Sequence, residues 1–276
     1  MASPPPHASV EDRIWHYGAR ALCYGVLLFL ILPILIIVPI SFSSGNMLAF
    51  PMPGLSTRWY ETILNTPAWM DAARNSMIIG LSSTILSMIL GTMAAIGLAR
   101  AKFRFKALLV GLVVSPILIP IVITAVGMYF FLVRIGLVGT YPGLILAHTA
   151  LSVPFVVVTV MATLDGFDMN LIRAAAGLGA PPLTAFRRVM LPIILPGVAS
   201  GGLFAFATSF DEIVVTYFLA APEQRTIPRQ IFSGVREYVS PGIAAAATLL
   251  IIISALLLTT VELLRRRSER LRTGKK

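Results

Sequence analysis

The chain has 276 residues, of which 57% are hydrophobic and only 12% are charged, and its mean hydropathy is +0.87. This composition leaves too little polar surface to cover a soluble globule, so it predicts a protein that lies in lipid. A net charge of +10 would suggest nucleic-acid binding in a soluble protein, but the placement of the basic residues along this chain argues against a nucleic-acid partner.

Six long apolar stretches dominate the sequence. A hydrocarbon core about 30 Å thick requires about 20 apolar residues of helix, and each stretch is long enough and nearly free of charge. They lie near Ala21–Ile40, Ser76–Ala99, Ala107–Val133, Pro142–Thr163, Val198–Ala220 and Ile243–Val261. A transmembrane β-barrel would show alternating segments of about ten residues instead. We therefore expect an all-α polytopic membrane protein with six transmembrane helices over residues 21–263.

The basic residues indicate how these spans are oriented. If the N-terminus is cytoplasmic, sixteen of the 22 Lys and Arg residues fall in inside segments and six fall in outside loops. The positive-inside rule then places both termini in the cytoplasm, with an N-terminal tail at 1–20 and a basic C-terminal tail at 264–276. Because Pro4, Pro5 and Pro6 precede the acidic Glu11 and Asp12, we expect the N-terminal tail to be disordered. The single cysteine, Cys23, has no partner for an internal disulfide.

Two outside loops carry helical patterns. In the first, Trp59 with Ile63 and Tyr60 with Leu64 recur four residues apart, which predicts a short interfacial helix. In the last, a four-residue spacing of apolar residues from Ile227 to Val235 predicts a second surface helix. Either these helices only cover the outer face of the bundle, or they help to receive a partner that delivers a substrate.

The cytoplasmic loop 164–196 has the most distinctive pattern outside the spans. Leu171, Ala174, Ala175 and Leu178 recur at helical spacing, and small residues leave one side of that helix thin. Gly179 is suited to a left-handed conformation that ends a helix, and the two prolines that follow make continuation difficult. A second amphipathic run follows, and we expect Leu191-Pro192 and Leu195-Pro196 to redirect the chain into the fifth span.

This loop resembles the EAA loop of the permease subunits of ABC importers, an inner-membrane family that depends on a separate binding protein. The positions that carry the resemblance are Ala174, Ala175, Leu178, Gly179, Ala180, Phe186, Val189, Leu191, Pro192 and Pro196. One position departs from the family pattern, because Arg173 stands where a glutamate is expected. The resemblance implies a type I ABC importer permease fold, with two short coupling helices that dock into a cleft of the ATP-hydrolysing subunit.

The resemblance extends over nearly all of the chain after Trp59 and looks closest to the spermidine/putrescine branch. The further segments that carry it are Asn75-Ser76, Ser82-Ser83-Thr84, Gly91-Thr92, Leu98-Ala99-Arg100, Ser209-Phe210-Asp211-Glu212 and Thr226-Ile227-Pro228. It implies a bacterial inner-membrane location, two ATPase subunits that bind ATP and Mg²⁺, and a periplasmic or extracellular solute-binding protein. It also implies a second permease subunit, which is either a related chain or a copy of this one.

Two acidic residues point to the chemistry of the transported solute. Asp211 and Glu212 fall near the middle of the fifth predicted span, where an acidic residue costs roughly 2.5–3.5 kcal/mol on insertion scales. We expect one of them, Asp211 in preference, to line an aqueous pathway for a cation such as a polyamine. The alternative is that both lie at an interface and only fix helix packing.

Other functions have less support in the sequence. It contains no phosphate-binding loop of the Gly-x-x-x-x-Gly-Lys-Ser/Thr type, so we expect ATP hydrolysis on a separate chain. No converging catalytic residues or metal ligands are evident, and we expect His148 to be a packed, hydrogen-bonded helix residue rather than a proton relay. The remaining alternatives are a permease for another small solute, such as an opine or an amino acid, and a secondary transporter, for which broken inverted repeats would be expected.

Overall fold

A computed structural model describes residues 9–49, 51–100, 104–237 and 240–273 of the chain. Throughout these residues the regular structure is helical, apart from an isolated antiparallel bridge between Ser43 and Leu55. The predicted all-α class is confirmed.

Twelve α-helices follow one another in the described residues. They are α1 (Val10–Ile40), α2 (Arg58–Asn65), α3 (Pro67–Arg100), α4 (Lys106–Leu118), α5 (Ile121–Arg134), α6 (Tyr141–Asp165), α7 (Asn170–Gly177), α8 (Pro182–Ala185), α9 (Leu191–Phe210), α10 (Val214–Leu219), α11 (Ile227–Glu237) and α12 (Pro241–Thr273). A five-residue π-helix, Phe186–Met190, joins α8 to α9.

Four described helices are long and apolar enough to cross a membrane. They are Ile14–Ile40, Pro67–Arg100, Tyr141–Asp165 and Pro182–Phe210. The pair α4 and α5 gives a fifth span if its two members are counted together, and Pro241–Leu256 is a shorter apolar helix. The multi-pass character is confirmed within the described residues, whereas the count of six spans stays a prediction.

Two of the expected spans are interrupted, which corrects the sequence interpretation. The third, expected as one helix over Ala107–Val133, bends by 107° between α4 and α5, where Ile119 and Pro120 leave the helical conformation. Pro120 has no N–H to continue the ladder, and its ring excludes the preceding turn of a straight helix. The fifth, expected to reach Ala220, ends at Phe210, and the chain becomes helical again only at Val214.

The expectation that Leu191-Pro192 and Leu195-Pro196 redirect the chain is also wrong. The helix runs without a break from Pro182 to Phe210, and both prolines lie inside it. Pro192 offers no N–H to the carbonyl of Arg188, which lies in the π-helix Phe186–Met190. The missing hydrogen bond at Pro192 is therefore accommodated by the wider π-helical turn, and the helix continues.

Helices α3, α6 and α9 pack against each other and form the larger part of the core. Buried apolar residues from all three helices line this contact, including Ala95, Val156 and Ile194. Glycines allow the close approach. A Cβ atom added at Gly201 would overlap the Thr159 hydroxyl oxygen and would lie 2.8 Å from the Cα atom of Val156. Small residues at helix crossings are typical of membrane bundles.

The contacts divide the chain into two compact units. One comprises Met1–Asn65 with Gly234–Ser254, and the other comprises Thr66–Ser233 with Ala255–Lys276. The first contains α1, which begins at Val10, so residues 10–20 are helical and not the disordered tail that we expected. No residue in the most apolar stretch of α1 is buried in the chain. The predicted surface helices are confirmed as α2 and α11.

Substitution of Gly201 by alanine should destabilise the bundle. The new methyl group has no space between α6 and α9, and overpacking of this kind typically costs about 1–3 kcal/mol. We expect thermal unfolding of the purified protein in detergent to shift to lower temperature, by about 2–4 °C per kcal/mol.

Gly127→Ala is the matched control, because Gly127 lies in α5 with nothing within 4 Å of its added Cβ atom. Equal melting temperatures for Gly201→Ala and Gly127→Ala would contradict the proposed packing.

Candidate functional site: a cavity between two interrupted helices and an exposed loop

The two interruptions in the spans lie on the same cavity. It has a volume of about 690 Å³. The lining residues come from the α4–α5 break, from α6, and from the α9–α10 break: Pro116, Ile117, Ile119, Ile121, Leu151, Phe155, Ala207, Thr208, Asp211, Glu212, Ile213 and Val214. Irregular backbone at membrane depth is tolerated where it lines a cavity, and interrupted helices form the binding sites of many transporters.

Asp211 and Glu212 form the acidic part of this cavity, and they do not lie within a continuous helix as we expected. The N–H of Asp211 donates to the carbonyl oxygen of Ala207 at 3.1 Å, which closes the last turn of α9. The Asp211 side chain is exposed, and among the described residues none donates a hydrogen bond to its carboxylate. The Glu212 side chain is buried. The two carboxylates therefore have different surroundings.

Glu212 caps the first turn of α10. Its Oε1 atom accepts a hydrogen bond from the N–H of Val215 at 2.9 Å, and its Oε2 atom accepts one from the N–H of Thr216 at 3.0 Å. The first N–H groups of a helix have no partner inside the helix, and a carboxylate there satisfies them and interacts favourably with the helix dipole. Both oxygens of Glu212 are thus engaged in restarting the helix.

A buried chain of polar side chains lies behind the α9–α10 break. The ring of His148, on α6, contacts the Ser209 hydroxyl through Nδ1 at 2.8 Å and the Thr216 hydroxyl through Nε2 at 3.1 Å. The Ser83 hydroxyl, on α3, donates to the Ser209 hydroxyl at 2.9 Å. The expectation that His148 is packed and hydrogen-bonded is confirmed, but the sequence did not indicate that its partners flank a helix break.

A second polar cluster fixes the chain between α10 and α11. The side-chain amide of Asn75, at the start of α3, donates to the carbonyl oxygens of Glu223 at 2.8 Å and Arg225 at 3.0 Å. The Tyr141 hydroxyl donates to the Asn75 side-chain oxygen at 2.7 Å, and the Ser76 hydroxyl accepts from the N–H of Ile227 at 2.8 Å. The Asn75-Ser76 pair therefore holds a distant loop in place.

The Arg229 guanidinium, on α11, strengthens this attachment. It donates to the carbonyl oxygens of Ala220 at 3.0 Å and Ala221 at 3.4 Å, and it lies 5.5 Å from the centre of the Tyr217 ring. Partial burial, together with the nearby charge of Arg225, lowers the pKa of Arg229 from its ordinary value. The end of α10 is consequently fixed to α3 and α11.

In the loop 164–196, α7 is followed by a left-handed Gly179, as the sequence predicted. The φ angle of Gly179 is +81°, and the N–H of Ala180 donates to the carbonyl oxygen of Ala175 at 3.0 Å while the N–H of Gly179 donates to that of Ala176 at 2.9 Å. These two bonds form a Schellman motif, in which a left-handed glycine satisfies the last carbonyl groups of a helix. Leu178, at the corner, has 90% of its surface exposed.

The other predicted residues of this loop divide into an exposed and a packed group. Arg173 and Ala174 are exposed on α7, and Pro192 is exposed on α9. Phe186 and Leu191 pack against the core cluster of α3, α6 and α9. The loop thus presents α7 and its corner to the outside of the chain while its second half is part of the bundle.

A smaller cavity, of about 410 Å³, lies between α7 and the end of α3. It is lined by Ile96, Ala99, Arg100, Leu164, Met169, Ile172 and Arg173. The Arg173 guanidinium donates to the side-chain oxygen of Asn170 at 3.3 Å, and the Arg100 guanidinium contacts the sulfur of Met190 at 3.8 Å. Two cationic groups therefore face one recess beside the exposed helix.

Within the part of the chain that the structure describes, no group of three or more His, Cys, Asp or Glu residues could hold a metal ion. Among the described residues that line the large cavity, Asp211 supplies a carboxylate without a hydrogen-bond donor, and most of the other side chains are apolar.

Comparison with known proteins places this geometry in a family. Residues 87–273 match the family model of the binding-protein-dependent transport system inner membrane component. The chain belongs to this family. It is therefore a multi-pass subunit of a transport system and not an enzyme.

The chain is similar to permease proteins of two polyamine transport systems. The spermidine/putrescine transport system permease protein PotC is 31% identical in Escherichia coli over 217 residues, which are 79% of this chain and 82% of the relative. The Haemophilus influenzae protein of the same name is 33% identical over 226 residues, or 82% and 88% of the two chains. The putrescine transport system permease protein PotI of Escherichia coli is 34% identical over 224 residues, or 79% of each chain.

Solved structures agree with the fold. A bacterial ABC transporter involved in the import of the acidic polysaccharide alginate superposes with a TM-score of 0.74 at 17% identity, covering 94% of this chain and 99% of the other. The MetNI methionine ABC transporter, in inward-facing conformations, gives a TM-score of 0.55 at 19% identity, over 74% of this chain and 99% of the other. This likeness establishes the type I ABC permease fold.

The two carboxylates should respond differently to removal. Glu212→Ala leaves buried N–H groups at the start of α10 without an acceptor, and loss of such a cap costs about 0.5–2 kcal/mol. Asp211→Ala removes a carboxylate that makes no hydrogen bond to the described residues. We expect a lower melting temperature for Glu212→Ala and little change for Asp211→Ala in the purified protein. A greater loss of stability in Asp211→Ala would contradict this division of roles.

Proposed function

We propose that this protein is the permease subunit of an ATP-driven importer for polyamines of the putrescine and spermidine type. The observation that carries the substrate assignment is the cavity at the two helix breaks, where an exposed Asp211 lies among apolar walls. A polyamine is an alkyl chain that bears ammonium groups, so it requires both a carboxylate and apolar surface. The similarity to permease proteins of spermidine/putrescine and putrescine transport systems supports the same class of solute.

Asp211 is the residue of this chain that we assign to the cation. Glu212 is buried and both of its oxygens accept backbone hydrogen bonds, so binding a solute there would compete with the start of α10. Asp211 lines the same cavity without such bonds. A carboxylate at this depth is costly without a compensating charge, and a passing ammonium group supplies one.

Asp211→Asn should weaken polyamine import. The change keeps the size of the side chain but removes its charge, and we expect the KM for putrescine uptake to rise about tenfold, which corresponds to about 1.4 kcal/mol. The measurement is ATP-dependent uptake of labelled putrescine into proteoliposomes that contain the complete transporter and its binding protein.

Asp71→Asn is the matched control, since Asp71 is an exposed carboxylate near the start of α3. A wild-type complex that imports neither putrescine nor spermidine would exclude the substrate class and favour another small solute such as an opine or an amino acid. A normal KM in Asp211→Asn would exclude the role of Asp211.

The loop 164–196 is, in this proposal, the contact with the ATPase. Its support is the combination of an exposed thin helix, α7, and a leucine at its end whose surface is 90% exposed. Large exposed apolar side chains beside basic residues are typical of a surface that a partner covers. Arg173 and Arg100 face one recess beside α7, so we expect the ATPase to present an acidic residue to Arg173.

The other members of the assembly follow the family. They are two ATPase subunits that bind ATP and Mg²⁺, a second permease subunit of related sequence, and a solute-binding protein on the periplasmic or extracellular side. Both termini and the loop 164–196 are then cytoplasmic, and the chain lies in the bacterial inner membrane. The surface helix α11 and the loop that Asn75 holds lie on the side that receives the binding protein.

Gly179→Ala should uncouple ATP hydrolysis from import. Gly179 has open space around its added Cβ atom, so the damage arises from its φ of +81° alone, which costs a residue with a side chain about 1–2 kcal/mol. We expect the corner after α7 to rearrange, with putrescine uptake reduced several-fold and membrane insertion unchanged.

Gly177→Ala serves as the control because Gly177 ends α7 in a helical conformation and also has nothing within 4 Å of its added Cβ atom. Uptake by Gly179→Ala that equals uptake by Gly177→Ala would contradict a coupling role for this corner.

A further inference from the structure

The inference concerns His148, a buried titratable residue to which the proposed transport function assigns no task. Its side chain is completely buried, in the N-terminal third of α6. Each ring nitrogen has a hydroxyl partner, Ser209 at 2.8 Å and Thr216 at 3.1 Å. A buried imidazole with both nitrogens engaged is fixed in orientation.

The two partners lie on opposite sides of a helix break. Ser209 is in the last turn of α9, and Thr216 is in α10, after the interruption at 211–213. The imidazole therefore connects the end of one helix to the start of the next, beside the segment that carries Asp211. Through Ser209, the Ser83 hydroxyl extends this connection to α3.

The neighbouring hydrogen bonds determine which ring nitrogen carries the proton. The Thr216 hydroxyl donates to the carbonyl oxygen of Glu212 at 3.3 Å, so it accepts from His148, and Nε2 is protonated. A neutral ring with its proton on Nε2 leaves Nδ1 as an acceptor for the Ser209 hydroxyl. The Thr216 end therefore sets the tautomer, and the Ser209 hydroxyl, which can both donate and accept, is compatible with it.

We propose that His148 is a positioning residue, a neutral imidazole protonated at Nε2 that joins α9 to α10 across the break and so keeps Asp211 directed toward the cavity. Its effect on transport rests on the proposed role of Asp211. The tautomer of His148 and its contacts with Ser209 and Thr216 do not depend on that role.

The tautomer can be measured directly. The chain has three histidines, and replacing His7 and His16 by glutamine leaves one imidazole for ¹⁵N-histidine labelling. We expect the spectrum at neutral pH to show one protonated and one unprotonated ring nitrogen, with the proton on Nε2. A proton on Nδ1, or an imidazolium, would overturn the proposal. Because this experiment uses unmodified His148, it decides the matter whether or not variants at this position fold.

Import kinetics test the positioning role. His148→Leu keeps a side chain of similar bulk but removes both hydrogen bonds. We expect a KM for putrescine at least about fivefold higher, with partial recovery in His148→Gln. Ser152→Ala is the control, because Ser152 is also buried on α6 and donates to the carbonyl oxygen of Ala205 on α9, but it does not reach α10.

A wild-type KM in His148→Leu, or the same increase in Ser152→Ala, would show that His148 only fills the core. If the wild-type complex imports no polyamine, the proposed function fails, and the tautomer measurement still decides on the bridge.

Discussion

The structure depends on the hydrogen bonds that the backbone groups around the interruption at 211–213 find in apolar surroundings. A helix that starts within a membrane bundle exposes N–H groups that lipid cannot hydrogen-bond. Here Glu212 accepts the N–H groups of Val215 and Thr216, so the chain restarts as α10 at once. Because this acceptor is the residue next to Asp211, the same solution that closes the backbone leaves Asp211 exposed at the cavity.

The loop 164–196 and the loop between α10 and α11 are both connected to this interruption. The helix Pro182–Phe210 runs without a break from the corner after α7 to the interruption, a distance of about 43 Å at 1.5 Å per residue. On the C-terminal side of the interruption, α10 is followed by a loop whose carbonyl oxygens accept hydrogen bonds from Asn75 and Arg229. A displacement of the exposed loop would therefore act on the cavity through one continuous helix, which gives the proposed coupling a physical route.

Much of this architecture could be predicted from the sequence, because membrane spans, surface helices and helix ends depend on local patterns. The left-handed Gly179 and the helices α2 and α11 were predicted from spacing and residue type alone. The two interruptions were not. Pro120 and Pro192 are both prolines in apolar runs, but only Pro120 lies at a helix break. The break at 211–213 contains no proline, and the hydrogen bonds that support it come in part from His148, on another helix. The partners of His148 are 61 and 68 residues away in sequence, and no local pattern reports such a contact.

The most direct test of the account asks whether the solute passes through the cavity at the two breaks. The single cysteine, Cys23, can be replaced by serine, and Thr208→Cys then places one thiol on the cavity wall. In the complete transporter with ATP and binding protein, putrescine should slow modification of this thiol by a small cationic reagent, whereas uncharged 1,4-butanediol should not. Equal modification rates with both compounds and with neither would contradict the central claim.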